Sequence, residues 1–450
     1  MGTIETLADF IASFPARDIP ATTRAMAEDC VLDATGAAAA GFGTGSAQAV
    51  RAAGRSLFGP GPATLWFADA DLSPTAAAFA NGMAASALDI DDGHRVAVGH
   101  PGAPIIPSAI ATAEATGAGG DDVLAAIVLG YEAAVRLSAA RNMETHLSIS
   151  TGRWGAFGVA ATAGRLRGLA PDRLAQALLI AENHGPGLLA AHLHGFGGAH
   201  VKEGIAWSVV TGLAALDLAE SGFTGYPNTV DLPELYEGSR IVADLGKAFW
   251  IDRTYFKSYS CCRAIHPAVD ALVALFAEHR LSATDITGVH VDGCALAVNL
   301  NNQVDPPNFE AAQFSIPFAL AVAAIDGADA LLPLRPEVLG RPDLVDFGKR
   351  VRMALDPAID ALFPGQMAGR VIVEAKGDSF ERYVAHALGD PDNPLGREGI
   401  RSKFRRLTAP VLAPERQETM IATSAALGSD GLPGLLDALR PELGATVPRP

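Results

Sequence analysis

The sequence predicts a mostly α-helical protein in which a large all-helical domain is joined to a smaller α+β domain. The chain has 450 residues, more than one simple core usually holds. Its first part consists of successive alanine-rich helical patterns, and alternating strand patterns begin only after about residue 280. We therefore assign residues 1–269 and 401–450 to the helical domain and residues 270–400 to the α+β domain.

The helical patterns in the first domain are long and unusually apolar. They include IPATTRAMAEDCVLDATGAAAAGFG, PTAAAFANGMAASALDI and GGDDVLAAIVLGYEAAVRLSAA, followed by WGAFGVAATAGRLRGL and IAWSVVTGLAALDLAESGFTG. Several of them are apolar nearly all round the helix. Helices of that kind are buried inside a large domain or against a second subunit.

The strand patterns of the second domain are short and alternate in hydrophobicity. ITGVHVDGCALAV, RVRMAL and RVIVEA each have the period of two that indicates a half-buried strand. The segment RVIVEAKGDSFERYVAHAL predicts a β-hairpin with Gly377 and Asp378 at its turn. Helices such as IPFALAVAAIDGA lie between the strands.

Charge and cysteine content restrict the class of protein. Lys and Arg total 34 against 50 Asp and Glu, a net charge of −16, which disfavours nucleic-acid and acidic-membrane partners. Four cysteines without a CxxC spacing argue against a disulfide framework and favour a reducing cytoplasm. The N-terminal residues do not have the pattern of a signal peptide, and no run of about 20 apolar residues predicts a membrane span.

A first cluster of titratable residues lies in DIDDGHRVAVGHPG. It comprises Asp89, Asp91, Asp92, His94 and His100, and its glycines and proline indicate a loop. An aspartate beside a histidine can orient the ring and raise its basicity, as a general base requires. Aspartates on loops also cap backbone N–H groups without any chemical role. The spacing leaves both interpretations open.

A second cluster lies in HLHGFGGAHVKEG and holds His192, His194, His200 and Lys202. The chain has only six lysines, and a partly desolvated lysine can bind a carboxylate or transfer a proton. The H-x-H spacing would allow a metal, but the expected carboxylate or cysteine ligands are not nearby in sequence, so we predict no metal. Histidines that pack in a core or an interface are the alternative.

A third cluster lies in YFKSYSCCRAIHPAVDALVAL. Lys257 could anchor a substrate carboxylate or be a solvated lysine. Cys262 and His266 have an i,i+4 spacing that two metal ligands could use, but no further ligand pair lies nearby in sequence, so packing is the favoured interpretation. The chain contains no GxxxxGK loop, no GxGxxG after a strand and no GxSxG motif. We therefore expect no nucleotide cofactor.

Taken in order, the motifs of this chain resemble those of the MmgE/PrpD family. They are DIDDGHRVAVGHPG, GGDDVLAAIVLGYEAAVRL, GAFGVAATAGRLRGL, the stretch from Lys202 to GFTG, and KSYSCCRAIH. The matches extend from LDATGAAAAG to FSIPFALAVAAIDG. Each motif alone is weak, and their shared order is what carries the resemblance.

The resemblance implies a two-domain homodimer in which the smaller domain is a lid over an active site, with no metal and no organic cofactor. Family members dehydrate 2-methylcitrate, decarboxylate cis-aconitate or epimerise iminodisuccinate, and all three substrates are polycarboxylates. By residue match, the family's active-site positions are occupied here by Asp89, His100, Lys202 and Lys257.

The chain departs from the dehydratase and decarboxylase members at several positions. Ile149 stands where they usually have a histidine, Gly93 where they often have threonine, and Phe318 where they often have tyrosine. His146 lies three residues before Ile149, and Arg153 is an added charge. Dehydration and decarboxylation both rely on well-placed acids, so these losses favour a simpler proton exchange.

We therefore expect proton removal and return at the carbon next to a carboxylate of a small di- or tricarboxylate, with epimerisation of an iminodisuccinate-like diacid favoured. A lyase of the 2-methylcitrate dehydratase or cis-aconitate decarboxylase type is the alternative, and an inactive scaffold that binds a partner is a third. The predicted catalytic residues are His100, Lys202 and Asp89, and the predicted substrate-binding residues are Lys257, Arg153, His94 and His146.

Overall fold

The computed structural model describes residues 2–145, 148, 150–188 and 198–441. Most of these residues are helical and the sheets are small, so the prediction of a mostly α protein is confirmed. No helix in the described ranges is long and apolar enough to cross a membrane.

The first body is built from ten helices among the described residues. They are α1 (Thr3–Ser13), α2 (Ala21–Gly41), α3 (Gly45–Phe58), α4 (Pro74–Ser86), α5 (Gly102–Thr116), α6 (Gly120–Ala139), α7 (Thr151–Leu166), α8 (Pro171–His184), α9 (Ile205–Glu220) and α10 (Gly238–Val242). Their ends follow from local sequence: the Ser73 side chain caps α4, and Gly117 ends α5 at φ 73°.

Two short strand pairs accompany these helices. Strand β1 (Ala63–Thr64) pairs with β2 (Asp71–Leu72), and β3 (Gly93–His94) pairs with β4 (Thr254–Tyr255), both antiparallel. The second pair joins the loop of the first titratable cluster to the segment that precedes Lys257. Residues that lie far apart in sequence are thereby brought side by side.

The second body contains a four-stranded sheet in the order β6-β5-β7-β8. The strands are β5 (Ile286–Gly293), β6 (Val351–Leu355), β7 (Gly369–Ala375) and β8 (Asp378–Val384); β5 and β6 are parallel and the other pairs are antiparallel. Its helices are α11 (His266–His279), α12 (Ala295–Val298), α13 (Phe309–Ala312), α14 (Ile316–Ile325), α15 (Pro342–Gly348) and α16 (Pro357–Asp360).

The β7–β8 hairpin turns one residue earlier than the sequence indicated. Ala375 pairs with Asp378, so the two central residues are Lys376 and Gly377, with φ 55° and 84°. A two-residue hairpin turn of this kind needs a positive φ at both positions, and the lysine adopts one beside the glycine.

The chain then returns to the first body through α17 (Gly396–Thr408), α18 (Pro414–Ala425) and α19 (Leu432–Leu439), with α17 against α2. The larger hydrophobic core combines buried residues from positions 4–256 with others from 400–439. A second core draws on positions 259–375. Residues 259–269 therefore pack with the α+β body, although the sequence pattern had placed them in the helical domain.

Candidate active site

The loop between α4 and α5 holds the first titratable cluster. Asp89 lies in the left-handed backbone region, at φ 55°, and its N–H donates to the carbonyl of Ser86 over 3.1 Å. A residue other than glycine adopts this conformation at a cost, so surrounding contacts must hold it. Those contacts are made by two lysines from other segments.

The carboxylate of Asp89 accepts from both lysines and is almost wholly buried. Lys202 Nζ donates to Oδ1 over 3.1 Å, and Lys257 Nζ donates to Oδ2 over 2.8 Å and to the Asp89 carbonyl over 2.9 Å. Burial alone would raise the pKa of Asp89, but the two ammonium groups and His100 outweigh burial and hold the pKa well below its ordinary value.

The lysines are themselves fixed by burial. Lys202 also donates to Gln313 Oε1 over 2.6 Å, while Gln313 Nε2 donates to the carbonyl of Ala87 over 2.8 Å. Burial would lower the pKa of Lys257, but the carboxylate of Asp89 outweighs it and raises the pKa above its usual range. Lys257 is therefore an ammonium cation over the whole physiological pH range.

His100 lies among three carboxylates. Its Nδ1 is 3.1 Å from Asp91 Oδ2, and its Nε2 is 3.5 Å from Asp89 Oδ1 and 3.6 Å from Glu203 Oε1. Burial and Lys257 would lower the pKa of His100, but Asp91 and Glu203 raise it above its ordinary value. This geometry favours the charged imidazolium and hence a proton donor.

The remaining aspartate of the motif supports the loop. Asp92 Oδ1 accepts from the N–H of Gly102, at the start of α5, over 3.0 Å, and Tyr131 donates to Oδ2 over 2.5 Å. Burial and the nearby Asp33 raise the pKa of Asp92 to about 7. Asp92 therefore makes the backbone contact that the capping interpretation of this cluster expects.

From the far end of the chain, Lys403 holds the same loop. Its ammonium donates to Asp33 Oδ1 and to the carbonyl of Ile90, each over 2.6 Å. Ile90 lies between the two aspartates that contact His100. Helix α17 therefore supports the backbone of the candidate site as well as closing the helical core.

A cavity of about 370 Å³ opens beside His100. The helical body contributes His100 and Glu203 to its wall, and the α+β body contributes Leu296, Asn299 and Met367. Asp89, Lys202 and Lys257 do not line it. The two ammonium groups therefore act on the cavity through Asp89 and His100.

Like Lys257, the predicted substrate-binding residues Arg153 and His94 lie away from the cavity wall. Arg153 donates to Glu182 Oε1 over 2.9 Å and to the carbonyl of Gly185 over 3.3 Å. His94 is buried, which lowers its pKa to about 3, and its Nδ1 accepts from the N–H of Ala97 over 3.3 Å. Both side chains are thus engaged in packing and pairing.

Three further residues that the sequence analysis considered, His146, His192 and His194, lie outside the described residues, as does Ile149. No placement is assigned to them.

The structure adds residues that the sequence analysis did not select. Glu203 directly follows Lys202, so its position was a usable signal. Arg263 lines the cavity, and its guanidinium donates to the carbonyls of Ala387 and Leu388 over 2.9 Å each. Gln313 carried no signal in sequence, because only its contact with Lys202 distinguishes it from other glutamines.

Two groups of possible metal ligands occur among the described residues. They are Asp89, Asp91 and His100, and His386, Asp390 and Asp392. In the first group Asp89 pairs with two lysines and Asp91 pairs with His100, and in the second group both aspartates pair with Arg95. A divalent ion would have to compete with these fixed positive charges, so the residues fit a metal poorly.

Two protein-family models match this chain. The model of the MmgE/PrpD N-terminal domain matches residues 5–236, and that of the MmgE/PrpD C-terminal domain matches residues 259–428. The chain belongs to the MmgE/PrpD family, as the sequence motifs predicted.

Its curated relatives are enzymes. Cis-aconitate decarboxylase of Aspergillus terreus is 26% identical over 92% of this chain and 91% of that protein. A cis-aconitate decarboxylase-like protein of Aspergillus oryzae is 26% identical over 76% of this chain and 77% of its own length. Cis-aconitate decarboxylase of Mus musculus is 24% identical over 87% and 83%. Family and relatives together indicate that this chain is an enzyme.

Proposed function

We propose that the protein is a cofactor-independent lyase that decarboxylates a small unsaturated polycarboxylate, with His100 delivering the proton. The observation that carries the proposal is the placement of one imidazole between buried carboxylates and the cavity. The names of the relatives support a decarboxylation of the cis-aconitate type.

The charges of the cluster support a protonated His100. Three carboxylates, of Asp89, Asp91 and Glu203, face two ammonium groups, of Lys202 and Lys257. With these groups in their ordinary charged forms, the cluster is neutral only when the imidazole carries a proton. An uncompensated buried charge is costly, so the cluster favours the imidazolium.

In the proposed reaction the C–C bond to one substrate carboxylate breaks and CO₂ leaves. The electron pair passes into the carbon skeleton next to a remaining carboxylate, and the imidazolium of His100 donates its proton to the carbon that receives the pair. Apolar side chains such as Leu296, Leu300 and Met367 line the cavity. An apolar wall favours the loss of a charged carboxylate as neutral CO₂.

Two of the departures from the family pattern that favour epimerisation are explained by packing instead. A β-carbon on Gly93 would lie 2.3 Å from the ring of the buried Tyr255, which fills the space that a threonine would need. Phe318 is only 2% exposed and belongs to the core of the α+β body. Packing is a sufficient reason for both residues.

The placement of His100 and Lys202 also bears on epimerisation. A two-face exchange needs an acid and a base on opposite sides of one carbon. Both side chains instead approach the same oxygen, Asp89 Oδ1, at 3.5 Å and 3.1 Å. Lys202 does not line the cavity, so it does not provide the second, opposed proton-transfer group that epimerisation needs.

Proton exchange followed by NMR distinguishes the reactions. In D₂O, cis-aconitate, 2-methylcitrate and iminodisuccinate would each be incubated with the enzyme. We expect CO₂ release, new vinylic signals and one deuterium in the product of cis-aconitate. Deuterium incorporation with inversion, without CO₂ or an alkene, would instead establish an epimerase. Absence of turnover and of a ligand-dependent rise in melting temperature would favour an inactive scaffold.

We further propose that the enzyme is a cytoplasmic homodimer, as the family resemblance implies. All four cysteines are free, in keeping with a reducing compartment. Near the start of α9, Val201 and Trp207 are 59% and 49% exposed, an apolar surface that a second copy could cover. Light scattering of the purified protein would measure the mass, and a monomer would contradict this proposal.

A further inference from the structure

Among the described residues that line the cavity, Glu203 is the only one with a carboxylate. Its side chain is 13% exposed, and its Oε1 lies 3.6 Å from His100 Nε2. A carboxylate at this place is unexpected, because it opposes the binding of a polyanionic substrate. A function in the proton chemistry would explain its presence.

The position of Glu203 is fixed by the start of α7. Its Oε2 accepts from the backbone N–H of Thr151 over 3.0 Å and from the Thr151 hydroxyl over 2.5 Å. The same hydroxyl accepts from the backbone N–H of His100 over 3.1 Å. One threonine therefore ties the carboxylate to the histidine.

His100 needs a proton source after it has delivered its own proton. On the Nδ1 side it faces Asp91, which is fully buried. On the Nε2 side it faces Asp89, which is buried and paired with two ammonium groups, and Glu203, which reaches the cavity. Of these three carboxylates, only Glu203 contacts both the imidazole and the open space.

We propose that Glu203 returns the proton to His100 after each turnover. The inference rests on the proposed decarboxylation. After His100 has given up its proton, the carboxylate of Glu203 takes a proton from solvent in the cavity, and the resulting carboxylic acid gives that proton to neutral Nε2, which restores the carboxylate and the imidazolium. One solvent proton is thus consumed for each CO₂ released. Glu203 acts through His100 and is a positioning residue rather than a catalytic residue.

The electrostatics agree with this geometry. Burial and Lys257 lower the pKa of His100, while Asp91 and Glu203 raise it. A reaction that needs the imidazolium is lost as pH rises through the pKa of His100. Removal of the Glu203 charge should therefore move this alkaline limb to lower pH.

The decisive variant is Glu203→Gln, and Glu114→Gln is its matched control. Glu114 accepts from the N–H and the hydroxyl of Thr64 over 2.9 Å and 2.6 Å, the same pairing that Glu203 makes with Thr151, and it does not line the cavity. We expect kcat of Glu203→Gln to fall about 100-fold, in the range typical of lost acid–base assistance, with the control unchanged.

Buffer dependence separates a relay from a structural cap. In Glu203→Gln, kcat should increase with the concentration of a small acidic buffer such as formate, because the buffer then reprotonates His100. In Glu203→Ala, formate should restore activity through the space left by the side chain. A wild-type kcat in Glu203→Gln, or a loss that no buffer relieves, would overturn the inference.

A direct measurement keeps the two proposals apart. If the wild-type enzyme converts none of the candidate substrates, the proposed function fails. Exchange of the His100 ring proton with water can still be followed by NMR in the wild type and in Glu203→Gln. Slower exchange in the variant supports the relay, and equal exchange rates contradict it.

Discussion

Two clusters in this molecule each bring one histidine together with two aspartates. Asp89 and Asp91 surround His100 beside the cavity, while Asp390 and Asp392 surround His386 where the chain leaves the α+β body. The residue types are the same. The cations differ, because lysines pair with the first cluster and Arg95 pairs with both aspartates of the second, at 3.1 Å and 2.9 Å.

Burial separates the two clusters further. The side chains of Asp89, Asp91 and His100 are at most 6% exposed. In the second cluster Asp390 is equally buried, at 3%, whereas His386 and Asp392 are 32% and 39% exposed. Solvent therefore screens the charges of His386 and Asp392, whereas all three charges of the first cluster are shielded from solvent. One histidine and two aspartates can therefore set the protonation of the imidazole in the first cluster, and pair two segments of the chain in the second.

The choice of cation fits these roles. An arginine presents a planar fork that bridges several acceptors, and Arg95 and Arg263 both lie against Asp390. A lysine is a compact charge that can be buried against one carboxylate, as Lys257 is against Asp89. The comparison indicates that the surroundings of the first cluster, rather than its residue types, distinguish it as the candidate site.

The largest expected effect is on catalysis, in His100→Asn. His100→Asn removes the proposed proton donor, so kcat should fall by at least about 1,000-fold. Circular dichroism should show an unchanged helical content. Retained turnover in a folded variant would contradict the role of His100. It would also remove the proposed functional difference between the two clusters.

Lys257→Met should have the largest effect on stability. It leaves a buried Asp89 with one fewer cation, and the free energy of unfolding should fall by roughly 3 kcal/mol, as for other broken buried ion pairs. Denaturant-induced unfolding measures this change. Lys247→Met, which removes an exposed lysine paired with Asp244, is the control and should leave the unfolding midpoint unchanged. Equal effects would show that burial does not distinguish the pairs.

In the second cluster, Asp390→Asn should have a moderate effect. Arg95 and Arg263 would lose a charged partner but would keep other acceptors, namely Asp392 and the carbonyls of Ala387 and Leu388. We expect the free energy of unfolding to fall by about 2 kcal/mol. Hydrogen exchange around residues 386–393 should increase. Activity lost in proportion to that of His100→Asn would assign chemistry to both clusters.

The smallest effect is expected for His386→Gln. The imidazole is partly exposed, and the glutamine amide can still contact Asp390 and Asp392. The free energy of unfolding should change by less than about 0.5 kcal/mol, as for ordinary surface substitutions. The pH profile of kcat should match that of the wild type. A shifted profile would show that this cluster affects the protonation of His100.

Much of the fold could be predicted because its signals are local. Apolar helices, alternating strands and a helical C-terminal segment each show in short windows of sequence. Local patterns were less reliable at boundaries. The hairpin turn lies one residue earlier than predicted, and residues 259–269 pack with the α+β body because their partners in the core lie far away in sequence.

The candidate site was predictable in part. The motif that contains Asp89 and His100 concentrates titratable residues in one short loop, as active sites often do, and Lys202 and Lys257 match positions of the family motifs. Arg153 and His94 were reasonable choices by residue type, but their contacts are with Glu182 and with the N–H of Ala97. A side chain's partners depend on packing between distant segments, which spacing does not report.

The sequence by itself determined the family, the mostly helical fold and the residue types of the site, because each is encoded in short patterns and their order. Tertiary structure alone decided that Lys202 and Lys257 meet on Asp89, that Lys403 supports Ile90 and that Glu203 reaches His100. These contacts join segments more than 100 residues apart in sequence. Packing between those segments decides which side chains become neighbours. Electrostatic interactions weaken with distance and strengthen with burial, so the protonation state of His100 depends on the folded structure.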